Sequence, residues 1–128
     1  MPAFARVLVV DDDVDRRFLV GAFLKQIGHD PVLAESGEAA LRLVDREDFD
    51  LAISTVGIRG MEGMNFGKLI QGVRPGIPVI LVAGPEDRVE TTLESDMVAL
   101  LAPVSLDTME SAITEILARP PVAKKPNA

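Results

Sequence analysis

The sequence predicts an α/β fold: a parallel five-stranded sheet with helices on both faces. Three observations predict it. Five short aliphatic runs, rich in Val, Ile and Leu, alternate with segments whose apolar residues recur at helical spacing. The runs are continuously apolar, as expected of strands covered on both faces. The connections between elements are a few residues long, which suits strand–helix–strand units with right-handed crossovers.

Arg6–Val10 (R-V-L-V-V) is the first run, bounded by Asp11, Asp12 and Asp13. From Val14 the period becomes helical, with Val14, Phe18, Ala22 and Phe23 expected on one apolar face and Arg16, Arg17 and Lys25 on others. Gly28 supplies the stop. His29–Asp30–Pro31 reads as a turn, and Val32–Ala34 as a brief strand. Ser36 reads as the N-cap of a helix reaching Arg46, with Ala40, Leu41 and Val44 inward. Leu51–Thr55 is the third strand, and it runs into a loop with glycines at 57, 60 and 63. Phe66, Leu69, Ile70 and Val73 mark a helix that must end by Pro75. Pro78–Ala83 is the fourth strand, closed by Gly84–Pro85. Glu86–Ser95 reads as a further helix, with Val89 and Leu93 at apolar spacing. Val98–Leu101 is the last strand, ended by Pro103. Leu106, Met109, Ile113, Ile116 and Leu117 form one face of the final helix. The segment from Pro120 carries three prolines in nine residues and reads as a mobile tail. Residues 1–119 are thus expected to be one domain and 120–128 an appendage.

Composition narrows the function classes. Apolar residues make up 48% of the chain but aromatics only 4%, so the core must be aliphatic. With no Cys, disulfides, thiolate nucleophiles and Cys-ligated zinc are excluded. The single histidine, His29, rules out a His cluster for a transition metal, and in its turn it reads as an exposed residue. A net charge of −7 argues against a nucleic-acid surface. No stretch reaches the roughly 18 apolar residues of a membrane span, and no signal pattern opens the chain. A cytoplasmic location is expected.

In an open parallel sheet, chemistry gathers beyond the carboxyl ends of the strands. Those ends present Asp11, Asp12 and Asp13 after the first strand and Thr55 after the third, with Ala83 and Ala102 after the fourth and fifth. Adjacent carboxylates suit a hard cation such as Mg²⁺. They equally suit an acidic turn that caps the following helix and favours its dipole. The glycines at 57, 60 and 63 match no phosphate-binding loop and read as turn geometry. Met61 and Met64 flank the same loop, where ordinary packing is the expected use.

Residues 5–118 resemble the receiver domain of two-component response regulators. The matching residues are V-L-V-V-D-D-D at 7–13, D-L-A-I at 50–53, G-M-E-G at 60–63, P-V-I at 78–80, and Pro103. The resemblance implies a flavodoxin-like sheet of order 2-1-3-4-5. It also implies transfer of a phosphoryl group from a histidine kinase to an aspartate at the end of the third strand. By the same resemblance, Asp11 and Asp12 match the acidic pair that holds Mg²⁺, and Gly57 the backbone carbonyl ligand. Other positions depart from the pattern. Thr55 occupies the acceptor position, Ala83 that of the phosphate-binding Ser or Thr, and Ala102 that of the lysine. Ala99 replaces the aromatic switch residue, and Arg59 a usual proline.

A threonine hydroxyl brings no negative charge to a metal, and no base is evident to activate it. Without a lysine at 102, charge on the transferring oxygens loses a major stabilising group. Of the other acids, Asp50 lies at the wrong end of the third strand, Glu62 matches a loop acid pointing away, and Asp13 sits on the opposing wall. The expectation is a non-enzymatic pseudo-receiver, acting alone as a phosphorylation-independent interaction module in phosphorelay signalling. Its partner would be a histidine kinase, another signalling protein or a second copy in a homodimer, and its expected contact face includes Val89, Leu93 and Met97. No cofactor is expected beyond weak Mg²⁺ at Asp11, Asp12 and Gly57. Arg59 or Arg88 could instead cover the acidic pair, or both could point into solvent. The alternatives are phosphotransfer with unusual acceptor chemistry, and a small ligand in the emptied pocket.

Overall fold

All five aliphatic runs are strands, and all pair in parallel. The computed structural model describes residues 4–55, 63–84, 97–101 and 104–118. The strands are β1 (Arg6–Val10), β2 (Asp30–Ala34), β3 (Leu51–Thr55), β4 (Val79–Ala83) and β5 (Met97–Leu101). The helices among the described residues are α1 (Val14–Gln26), α2 (Gly37–Arg46), α3 (Gly63–Val73) and α4 (Leu106–Ala118). The sheet order is β2-β1-β3-β4-β5, the order expected. The expected helix over 86–95, the tail from 120, and Gly57, Arg59, Met61, Glu62, Arg88, Val89, Leu93 and Ala102 lie outside the described residues.

Strand alternation divides the core in two. Leu8, Val10, Ala52, Val79, Leu81 and Met97 face α2 and α3, where Ala40, Val44 and Ile70 meet them. Val7, Val9, Leu51, Ile53 and Ile80 face the other way, against Phe23 and Leu24 of α1 and Met109, Ile113 and Ile116 of α4. Both faces of the sheet are therefore apolar, which is why the strand sequences show no polar alternation.

Local chemistry sets the boundaries. The Ser36 hydroxyl accepts the Ala39 N–H at 3.1 Å, as a cap should. Gly28 ends α1 with a φ of 94°, a conformation that suits a residue without Cβ. β2 starts two residues earlier than its aliphatic content suggests, with Asp30 N–H donating to Ala5 O at 2.8 Å. Pro31 is accommodated because β2 is an edge strand. β4 begins at Val79, one residue after Pro78, and β5 at Met97, one before Val98.

Three expectations about faces are corrected. On α1, Val14, Phe18 and Ala22 are exposed, and the buried residues are Gly21, Phe23 and Leu24. Apolar residues run around most of this helix, so spacing alone does not choose its inner face. Its rotation is set by contacts: a Cβ at Gly21 would lie 3.1 Å from a Leu33 methyl, so backbone packs closely on β2. Met97, expected on a contact surface, is only 4% exposed and belongs to the core on the α2–α3 side. Leu106, expected inward, is exposed at the start of α4.

Candidate functional site

At the carboxyl end of β1 the chain turns sharply into α1. Asp11 is 3% exposed, a carboxylate the sequence puts directly after four buried β1 residues. Its N–H donates to Ala34 O at 3.1 Å, extending the β1–β2 ladder by one bond. The Asp13 N–H then donates to Asp11 Oδ1 at 2.9 Å, closing a local turn. Asp13 in turn caps α1, its Oδ1 accepting the Arg16 N–H at 2.9 Å. That backbone donor, with the nearby Arg16 charge, holds the Asp13 carboxyl below its ordinary value, although desolvation opposes the shift.

The arginine side chains on the first turn of α1 fold back over this turn. Arg16 grips the Asp11 carboxylate with two bonds, Nε to Oδ2 at 2.6 Å and Nη2 to Oδ1 at 2.8 Å. The hydrogen bond to Asp11 raises the Arg16 pKa above its ordinary value, so the guanidinium stays charged. Arg17 Nη1 donates to the Asp11 main-chain carbonyl at 2.7 Å. Consecutive arginines thus hold the two ends of one residue. The readable signal was an acid after a strand, a cap two residues later, and an arginine three beyond it. Long side chains near a helix start point back toward the N-terminus, so Arg16 reaches Asp11.

The other expected positions divide. Thr55 ends β3 half-buried, opposite Val82 of β4. It lines a crevice of about 270 Å³ together with Asp11 and Arg16. The remaining walls are apolar, chiefly Val9, Leu19, Val20, Phe23, Val104 and Leu106. Asp12 and Asp13 are exposed on the turn above it. Ala83 is buried at the end of β4, and Ala99 is half-buried within β5 opposite Leu81. Asp50 lies at the other end of the sheet, as expected, accepting the Arg6 N–H at 2.8 Å. His29 also lies there, but half-buried: its Nδ1 accepts the Ala5 N–H at 2.9 Å, so it is a structural acceptor rather than a free turn residue.

A profile of the response regulator receiver domain matches residues 7–114. The chain belongs to that family. This receiver domain is 38% identical over 116 residues to the transcriptional regulatory protein GlrR of Escherichia coli K12, covering 88% of this chain and 26% of GlrR. It is 31% identical over 115 residues to the transcriptional regulatory protein ZraR of the same strain, with the same shares covered. The chain therefore spans about a quarter of the length of these curated relatives. Among solved structures it resembles the receiver domain of the hybrid histidine kinase CckA, with a TM-score of 0.76, 24% identity, and 88% and 98% of the two chains covered. The response regulator TrrA of Thermotoga maritima, solved in complex with Mg²⁺–BeF, gives a TM-score of 0.76 at 24% identity, covering 87% and 97%. These likenesses establish the flavodoxin-like fold.

By the resemblance a divalent cation in this receiver domain would be held by Asp11 and Asp12, and the Asp11 half of that pair is already engaged. Oδ1 already accepts two donors and Oδ2 a third. Mg²⁺ binds carboxylate oxygens directly, at about 2.0–2.1 Å, in strict octahedral geometry. A dication about 4 Å from a guanidinium is opposed by about 2 kcal/mol in bulk water and about 8 kcal/mol at an effective dielectric of about 20. Among the described residues no three His, Asp or Glu side chains converge to offset that repulsion. Arg59 and Arg88, expected either to cover the acidic pair or to point into solvent, lie outside the described residues; among those described, the cation on Asp11 is Arg16.

Proposed function

We propose that this receiver domain works as a phosphorylation-independent interaction module in two-component signalling, with no catalytic turnover of its own. The observation that carries the reading is the pairing of Thr55, at the strand end where the family places its acceptor aspartate, with an Asp11 neutralised by the chain itself. A hydroxyl without an adjacent base is a poor nucleophile at neutral pH, and a carboxylate already paired is a poor metal ligand. The buried methyl group of Ala83 cannot hydrogen-bond a phosphoryl oxygen. What remains is a rigid scaffold with surfaces. Val14, Phe18 and Leu19 of α1 are between 51% and 61% exposed, a run of large apolar side chains that suits contact with a protein.

The partner would be a histidine kinase, another signalling protein or a second copy of the chain, in the cytoplasm. Among the described residues no helix is long and apolar enough to cross a membrane. Although relatives are transcriptional regulators, the domain's acidic balance, −7, favours a protein rather than DNA as its direct contact. The test is intact-mass measurement after incubation with acetyl phosphate and Mg²⁺. No adduct is expected; a gain of about 80 Da that disappears in Thr55→Val would overturn the reading. The crevice of about 270 Å³ favours a second reading, a small apolar ligand, which thermal-shift screening would reveal as ligand-linked stabilisation.

A further inference from the structure

We propose that Arg16 is the resident cation of this site, standing where a receiver would admit a divalent metal and making the site metal-independent. The inference deepens the functional reading above and rests on it for its meaning, though not for its test.

The geometry makes the case. Asp11 is almost wholly withdrawn from water, and its carboxylate needs positive charge and donors. Arg16 supplies both, in a side-on, two-bond arrangement matched to a carboxylate. The third donor, the Asp13 N–H, comes from the turn itself. Arg16 is fixed at its other end too, because its own N–H is bound by the Asp13 cap. Arg17 holds the Asp11 carbonyl, so the start of α1 is fastened to the end of β1. No part of this network calls on an exogenous ion. A metal bound directly by the Asp11 carboxylate would have to displace the guanidinium and then sit beside it.

The consequence concerns what this end of the domain presents to a partner. In a site completed by a soluble cation, local charge varies with cation concentration. Here the countercharge to Asp11 is carried by the chain itself, so it does not vary with cation concentration. Arg16 also lines the crevice beside Thr55, which places its charge at the mouth of an otherwise apolar cavity.

The test is metal binding by the full chain and by Arg16→Gln, which removes the guanidinium and its charge but leaves a shorter polar side chain. Titration calorimetry and thermal shift with MgCl₂ are expected to show nothing for the unsubstituted chain. Arg16→Gln should bind: for a Kd of about 1 mM, about 10 mM Mg²⁺ raises the folded-to-unfolded ratio about elevenfold. Arg16→Lys, which restores a point charge, should lose most of that gain. If Arg16→Gln does not fold, Mn²⁺ added to the unsubstituted chain decides the matter by paramagnetic broadening. Unaffected Asp12 and Asp13 amides support the proposal, and amides broadened at equimolar Mn²⁺ overturn it. Binding by the unsubstituted chain, or none by a folded Arg16→Gln, also overturns it. Neither result bears on whether Thr55 takes up phosphate, which the mass measurement settles separately.

Discussion

Removing the Arg16 guanidinium should destabilise the fold, and the cost can be bracketed from the geometry. The Asp11 side chain is 4% exposed, whereas Arg16 is 53% exposed, so the pair is neither a surface pair nor a buried one. Exposed pairs contribute about 0.2–1 kcal/mol, and breaking a fully buried one costs about 3–5 kcal/mol. Arg16→Met removes two of the three donors seen on Asp11 and leaves the carboxylate with the Asp13 N–H. With half the Arg16 side chain in water, about 2 kcal/mol is the expected loss. Asp11→Asn keeps an acceptor for Asp13 but leaves the Arg16 charge facing a neutral amide, at about 1–2 kcal/mol. Because each substitution already removes the ion pair, the double variant should be less destabilised than the sum, by about 1–1.5 kcal/mol. Urea unfolding followed by far-UV circular dichroism is the assay, since the chain has neither Trp nor Tyr to serve as a fluorophore. The coupling should shrink in about 1 M salt, where exposed charge is screened within about 3 Å. Costs that add to within about 0.3 kcal/mol at low salt would refute the argument, because the guanidinium would then not rest on the carboxylate.

Three further outcomes are expected. Thr55→Asp adds a carboxylate to the crevice shared with Asp11 and should cost about 1 kcal/mol at neutral pH, a deficit that shrinks on acidification as the added group takes up a proton. Equal stability at every pH would mean that these side chains do not converge. Because the native pKa of Asp13 is depressed, its contribution is fully present above the ordinary carboxylate value and fades as pH falls through the native one. The stability difference between the unsubstituted chain and Asp13→Asn should accordingly narrow as pH falls below the ordinary carboxylate range, and a constant difference would contradict the cap. Gly21→Val should destabilise by about 1–3 kcal/mol, because an added Cβ would lie 3.1 Å from a Leu33 methyl and a branched side chain demands further room; a neutral result in urea unfolding would mean that Leu33 gives way without cost.

The contrast between α1 and the strands shows what made some of this molecule readable and some not. A strand with both faces buried reports itself through composition alone, because nearly every side chain must be apolar whichever way it points. β1 and β3 are therefore legible to the residue. Helix α2 reports itself through Ser36 and through apolar residues confined to one side, Ala40 and Val44. Helix α1 offers no such contrast: Val14, Phe18 and Leu19 on its outer side are as apolar as Val20, Phe23 and Leu24. Its inner face is decided by a residue with no side chain, Gly21, and by what lies against it on β2.

The site follows the same logic. The alternation of strands and helices was enough to bring Asp11, Thr55 and Ala83 to one end of the sheet, because strand ends are a property of topology. It does not reveal that Arg16 lies on Asp11, because that contact runs back along the helix that Asp13 caps rather than between strand ends. The bond from Arg16 to Asp11 depends on three local facts acting together: an acid immediately after a buried strand, a turn closed by the Asp13 N–H, and a helix start that aims long side chains backwards. Each is visible in the stretch D-D-D-V-D-R-R taken alone. Their product is a carboxylate already paired within the chain, and it emerges only when the turn, the cap and the backward reach of Arg16 act together.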